Sequence, residues 1–257
     1  IGGAMVRTIN VNEITKNIKE MCIEANYSLT SDVKDKLYQA AEEENSPLGR
    51  QILSQLKENL QIAKDDEIPI CQDTGMAVVF LRIGQDVQGQ NLEDAVNEGI
   101  RQGYIEGYLR KSVVSDPILR ENTKDNTPGV IHYEIIAGEN IEITVAPKGF
   151  GSENMSRVCM LKPADGIGVG VGGTFEKCAI LAKKALTRDL NTHNEISYVA
   201  DLEKELLEKI NELEIGPGGL GGKMTALGVN VEVYPTHIAG LPVAINMCCH
   251  VNRHVHR

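Results

Sequence analysis

The run Met76-Ala77-Val78-Val79-Phe80-Leu81-Arg82-Ile83 holds a single charge, with β-branched and aromatic residues through its middle. A short apolar run of this kind reads as a buried strand, and such a strand demands a sheet with other elements packed over it. Directly before it stand Cys71-Gln72-Asp73-Thr74-Gly75, which put a thiol, an amide, a carboxylate and a hydroxyl in four consecutive positions. Burying that set costs free energy unless each group finds a partner. The entry to the strand is therefore the first place to look for chemistry.

The remaining pattern supplies the packing elements. Ile14, Ile18, Met21, Cys22 and Ala25 fall at helical spacing, which makes Cys22 a core residue. Val33, Leu37 and Ala40 form a second stripe behind Ser31-Asp32, and Ser46-Pro47 opens a third helix carrying Ile52, Leu56 and Leu60. A fourth helix is expected from about 91 to 111, with Gly99, Gly103 and Gly107 four residues apart for close packing. The stretches 130–137 and 141–147 alternate on either side of Gly138-Glu139-Asn140 and predict a hairpin. Residues 167–185 read as strand, glycine turn and helix. Val199, Leu202, Leu206, Ile210 and Leu213 mark a further helix, and 226–234 and 241–247 read as closing strands. The expected class is α+β: a helical N-terminal part over about 10–112, then a mixed β-sheet with packed helices over about 113–257, in a single domain from residue 5. Residues 1–4 read as an expression remnant before an initiating Met5.

Composition limits the partners. With no Trp and three Phe, the core must be built mostly from Ile, Val, Leu and Ala. A formal charge of −10, with no basic stripe carrying aromatics, argues against nucleic acid. No apolar stretch approaches bilayer length and the start lacks a signal-peptide pattern, so no membrane role is expected. Cys22, Cys71, Cys159, Cys178, Cys248 and Cys249 are scattered without a framework spacing, which fits a reduced, cytoplasmic setting.

Three further segments raise chemical questions. Gly168-Val169-Gly170-Val171-Gly172-Gly173-Thr174 could cradle a phosphate with backbone N–H groups, yet it has neither the dinucleotide fingerprint nor a P-loop ending. A plain strand-to-helix turn, or a site for a small carboxylate, fits as well. Gly216-Pro217-Gly218-Gly219-Leu220-Gly221-Gly222 permits positive φ and close backbone approach, either to a ligand or as a simple crossover. Cys248-Cys249 closes a strand, where neighbours point to opposite faces, so one buried and one exposed thiol are expected.

Five motifs stand in order along the chain: Cys71-Gln72-Asp73-Thr74-Gly75, Lys148-Gly149-Phe150-Gly151-Ser152-Glu153-Asn154, Gly172-Gly173-Thr174-Phe175-Glu176, the glycine loop from Gly216 to Lys223, and Pro235-Thr236-His237-Ile238-Ala239-Gly240-Leu241-Pro242-Val243-Ala244 followed by the cysteines. Together they resemble the alpha subunit, or N-terminal domain, of class I (iron–sulfur) fumarate hydratases and the related L-tartrate dehydratases, from about Asn10 onward. The resemblance implies a [4Fe-4S] cluster held by three cysteines, with the open iron acting as a Lewis acid on the substrate. Cys71 matches the first ligand and Cys249 the last, with Cys248 a neighbour. The family's middle ligand lies in an Asn-Pro-Cys-Pro stretch. Here Lys162-Pro163-Ala164-Asp165-Gly166 runs straight into Ile167-Gly168-Val169-Gly170, and neither Cys159 nor Cys178 takes the missing place. Either the natural protein carries that stretch as a loop between Gly166 and Ile167, or it lacks the stretch and cannot hold the cluster in the usual way.

The resemblance also makes Asp73 the proton-transfer residue on the hydroxyl side, with Gln72 binding substrate; Thr74 joins them by proximity alone. Arg110 resembles the family arginine that grips a substrate carboxylate, which suits a dianionic C4 acid. A solvated helix end favoured by the dipole is its plain alternative. Gly149 and Gly151 fit backbone contact to substrate, and His237 and His250 are either supporting donors or structural histidines. In the family the base on the carbon side lies in a beta part, so the expected partner is a separate beta subunit, in a dimer of alpha–beta pairs. The expected activity is reversible hydration of fumarate to (S)-malate. The alternatives are L-tartrate dehydration and a non-catalytic carboxylate-binding or assembly protein that lost its cluster.

Overall fold

A computed structural model describes residues 7–89, 91–116, 119–161, 170–234 and 241–257. The helices are α1 (Val11–Tyr27), α2 (Ser31–Glu43), α3 (Pro47–Asp65), α4 (Leu92–Glu106), the short α5 (Phe150–Glu153), α6 (Phe175–Ala185) and α7 (Ser197–Glu212). The strands are β1 (Arg7–Thr8), β2 (Met76–Gly84), β3 (Val87–Gln88), β4 (Val130–Ile136), β5 (Ile141–Lys148), β6 (Arg157–Leu161), β7 (Gly170–Gly172), β8 (Glu232–Tyr234), β9 (Leu241–Ile245) and β10 (Val255–His256). The class is α+β, as the pattern predicts. The chain forms two compact units, each built from separated stretches. One comprises the chain up to Leu29 with Ala63–Phe150 and Arg253–Arg257; the other comprises Thr30–Ile62 with Gly151–Asn252.

In the first unit α1 and α4 cover one face of a sheet ordered β10-β5-β2-β4. Ala77, Val79 and Leu81 of β2, with Ile143 and Val145 of β5, meet Ile18, Met21 and Cys22 of α1 and Val96, Ile100 and Tyr104 of α4. This alternation is why a nearly all-apolar strand still has a distinct outer face. There Phe80 stacks on His132 at 5.1 Å, and Arg82 pairs with Glu134 and Glu142. The expected glycine packing is realised. A Cβ on Gly99 would lie 2.6 Å from Thr15 O, and one on Gly103 would lie 2.8 Å from the Cys22 Cβ. Helix α4 ends earlier than expected, at Glu106: Gly107 caps it, Tyr108 turns to φ +51°, and the Leu109 N–H closes back on Tyr104 O at 3.1 Å.

The expected hairpin of 130–137 and 141–147 does not form. Strand β2 lies between the two, parallel to β4 (Val78↔Val130 to Gly84↔Ile136) and antiparallel to β5 (Met76↔Lys148 to Ile83↔Ile141). The short connection instead crosses the end of β2, where the Gly84 N–H donates to Asn140 O and the Asp86 N–H to Gly138 O. A Cβ on Gly84 would be 2.2 Å from Gly138 O, so glycine is what lets the crossing sit there. Both strands and their glycine link are legible; the third strand that separates them is not local information.

In the second unit α6 lies on a sheet ordered β6-β9-β7-β8 through Cys178, Ala182 and Ala244. The Gly170 position is tight, since a Cβ there would be 2.3 Å from Cys178 O. Leu37, Ala40 and Leu53 of α2 and α3 form a smaller core with Met224 and Leu227. The strand expected over 226–234 is only three residues long. Its leading backbone groups are taken by side chains instead: Asn211 Oδ1 accepts the Thr225 and Ala226 N–H groups, and Glu203 accepts that of Val231. Among the described residues no helix is long and apolar enough to cross a membrane.

Candidate active site

The turn ahead of β2 is held from behind by buried side chains. Arg253 Nη2 donates to Asp73 O. The Tyr104 hydroxyl is shared between Thr74 O (2.8 Å) and Gly75 O (3.1 Å), and Asn126 Nδ2 donates to Gly75 O at 3.0 Å. Tyr104 and Asn126 are fully buried and Arg253 is 4% exposed. Burial pushes the Tyr104 phenol well above its ordinary range, which keeps it a donor. Gly75 stands at φ +75°, and a Cβ there would come within 2.6 Å of the Lys148 carbonyl, so only glycine lets the turn enter the sheet beside β5.

With three consecutive carbonyls fixed inward, the side chains of Cys71, Gln72 and Asp73 are half-buried or exposed. The Asp73 carboxylate is steered by two backbone amides, Gly75 N–H on Oδ1 at 3.0 Å and Phe150 N–H on Oδ2 at 2.9 Å. A carboxylate has about four acceptor positions, so lone pairs remain for a bound group. The Cys71 thiol donates to Gln72 Oε1 at 3.1 Å. Thr74 is 1% exposed and donates its hydroxyl to Arg110 O at 3.0 Å, fixing the backbone from which the exposed Arg110 side chain projects. A Cβ on Gly149 would lie 3.2 Å from Asp73 Oδ2 and 3.5 Å from Arg253 Nη2. The first unit thus gathers Cys71, Gln72, Asp73, Thr74, the Arg110 backbone and Gly149 around one turn.

Gly151 and Cys249 belong to the second unit. Gly151 is exposed, and a Cβ there would meet nothing within 4 Å. Cys248 is half-buried with its thiol 3.8 Å from Val251 O and Cys249 is exposed; β9 ends at Ile245, so neither stands on a strand and the expected buried partner of the pair is not found. The segment between β9 and these cysteines is anchored by Ser156, which follows α5. Ser156 Oγ accepts from Asn246 Nδ2 (2.6 Å) and the Met247 N–H (3.2 Å), and Glu153 pairs with Lys183 at 2.6 Å. His250 is half-buried. His237, the junction of Gly166 and Ile167, and the Cys159 side chain lie outside the described residues.

The glycine loop 216–222 approaches a carboxylate of the chain itself. Glu44 Oε1 accepts the N–H groups of Asn45, Ser46 and Lys223, and Oε2 that of Met224. Gly222, at φ +128°, would place a Cβ 2.7 Å from Glu44 Oε1. Burial raises the Glu44 pKa, but the amides of Ser46, Met224, Lys223 and Asn45 outweigh it and hold the group below the ordinary 4.5.

Cluster chemistry needs thiolates. Cys22 and Cys178 are fully buried, and burial pushes the Cys22 thiol up to about 12 and Cys178 also upward. Among the described cysteines Cys71, Cys248 and Cys249 are not fully buried; Cys71 belongs to the first unit, Cys248 and Cys249 to the second. Among the described residues no three His, Cys, Asp or Glu side chains gather to hold a metal ion. The described residues therefore do not make up the three-cysteine set that the resemblance implies. Sequence reasoning also missed Tyr104, Asn126 and Arg253. Each acts on a carbonyl far away in the chain, which leaves no local pattern to read.

A family model described as Fumarate hydratase (Fumerase) matches residues 15–168 and 166–257. The chain belongs to the fumarate hydratase (fumerase) family, a family of hydro-lyases. The two matched segments overlap at 166–168, beside the junction where the middle-cysteine stretch is missing. A provisionally named L(+)-tartrate dehydratase subunit alpha of Methanocaldococcus jannaschii is 38% identical over 273 residues, covering 94% of this chain and 95% of that protein. The L(+)-tartrate dehydratase subunit alpha of Escherichia coli is 28% identical over 272 residues, covering 95% and 89%. Both alignments are longer than the 257 residues of this chain, so each relative carries residues with no counterpart here.

Proposed function

We propose that the chain is the alpha subunit of a hydro-lyase that adds and removes water on a C4 dicarboxylate, with a beta subunit completing the site. The observation that supports this best is the Asp73 carboxylate, steered by the Gly75 and Phe150 amides, beside Cys71 and Gln72 at the mouth of β2. Dehydration breaks a C–O bond and the C–H bond on the neighbouring carbon. Asp73 carries the proton at the hydroxyl oxygen, and Gln72 hydrogen-bonds the substrate. Gly149 leaves room for substrate against Asp73. Gly151, with open space above it, offers backbone contact. Arg110 pairs with a substrate carboxylate, and Thr74 acts from behind by fixing the Arg110 carbonyl. The proton on carbon falls to a base of the beta subunit, the partner to which the relatives' designation "subunit alpha" points.

Cys71 and Cys249 are assigned as two thiolate ligands of the family's [4Fe-4S] cluster. The third cysteine that the resemblance implies has no residue in this sequence. The family description favours fumarate as substrate, and the relatives' names favour L-tartrate.

The test is to combine the chain with its beta subunit, reconstitute anaerobically with iron and sulfide, and assay fumarate, malate and L-tartrate. Activity on one of these pairs is expected from the mixture and not from the chain alone. Asp73→Asn should lower kcat by about 100-fold or more without loss of fold. Full turnover by the isolated chain would overturn the divided site. A mixture with neither chromophore nor turnover would leave the non-catalytic carboxylate-binding reading, which the missing cysteine stretch favours.

A further inference from the structure

We propose that Arg253 is a positioning residue for the Cys71–Gly75 turn, acting through the geometry of its guanidinium fork and not through its charge. Its Nε donates to Pro147 O at 3.1 Å and its Nη2 to Asp73 O. One rigid plane thus spans two backbone segments: the turn that presents Cys71 and Asp73, and the end of β5 that leads to Gly149 and Phe150. Those two segments also meet at the Asp73 carboxylate, which takes the Phe150 N–H at 2.9 Å. The fork therefore fixes the separation on which that amide–carboxylate bond depends.

Arg253 is 4% exposed, its Nη1 is buried without a hydrogen-bond partner, and it makes no ion pair among the described residues. A buried guanidinium held by carbonyls alone is a costly way to stabilise a fold. Lysine cannot reproduce the fork, because an ammonium presents a point charge rather than two coplanar donors.

The inference rests on the hydro-lyase reading only for its activity arm. In the full chain without cluster or partner, amide hydrogen exchange is compared for the natural protein, Arg253→Lys and Arg253→Met. The Gly75 and Phe150 amides should lose at least about tenfold protection in both variants, while amides of α1 and α4 stay within about threefold. In the reconstituted alpha–beta complex, Arg253→Lys should lower kcat by about tenfold or more and leave KM within about threefold. Protection restored by lysine would assign the role to charge and overturn the proposal, as would uniform loss of protection across the unit or no loss at Gly75 and Phe150. If Arg253→Met does not fold, Arg253→Lys decides alone. If the natural complex shows no hydro-lyase activity, the functional reading fails while the exchange data still judge the fork.

Discussion

At the residue scale, the site is a contest for space and for hydrogen-bond donors. Gly149→Ala would put a methyl 3.2 Å from Asp73 Oδ2, tighter than most contacts, and 3.5 Å from Arg253 Nη2. We expect kcat to fall at least about tenfold in the reconstituted complex with little change in Tm, because a displacement well under 1 Å at a reacting group is costly to rate and cheap to stability. Tyr104→Phe removes the one hydroxyl serving two buried carbonyls. Gly75 O keeps the Asn126 Nδ2 donor, so the loss falls on Thr74 O and should cost about 1–3 kcal/mol in denaturant unfolding. Cys71, Gln72 and Asp73 were legible because they are contiguous and their crowding is chemically odd. The donors that hold them, Tyr104, Asn126 and Arg253, were not, since a tyrosine on a helix or an arginine near a strand looks the same whichever carbonyl it meets.

At the element scale, helices were read well and strand partners were not. The stripe Ile14, Ile18, Met21 and Cys22 is a local repeat, and the glycines of α4 carry their packing role in their spacing. Gly103→Ala tests that role. Alanine gains about 1 kcal/mol in helix propensity, but its methyl would sit 2.8 Å from Cys22 Cβ and 2.9 Å from Lys19 O. Overpacking of that kind costs about 1–3 kcal/mol, so Tm should fall, and the larger Gly103→Val should lower it further. The loop 216–222 shows the opposite limit. Its glycines announce a close approach, yet only the fold shows that the approached group is Glu44. The folded Glu44 pKa lies below 4.5, so its contribution is fully present above that range and is lost as pH falls through the folded value. Glu44→Gln should therefore destabilise the protein at neutral pH and flatten the acid limb of its stability curve, as read by urea unfolding across pH 3–6 at about half-unit steps.

At the scale of the whole molecule, the motifs name a family while one of its expected ligands has no residue here. That gap was visible in the sequence as an undistorted join of Gly166 to Ile167, and the family match divides beside the same join. How the two units divide the chain was not visible, because each is stitched from stretches more than thirty residues apart in sequence. Removing Arg253–Arg257 takes away β10 and the Arg253 fork. It should raise exchange in β5 and the Cys71–Gly75 turn while leaving α6 and α7 unchanged.

That stitching has a temporal side. A ribosome delivers Cys71 and Asp73 early and Arg253 some 180 residues later, a delay of roughly 9–36 s at about 5–20 residues per second. Throughout that interval the nascent thiol and carboxylate stand in a turn whose Asp73 carbonyl has no fork to receive it. The Cys71–Gly75 turn thus gains its Arg253 contact only after the long stretch between them has been made.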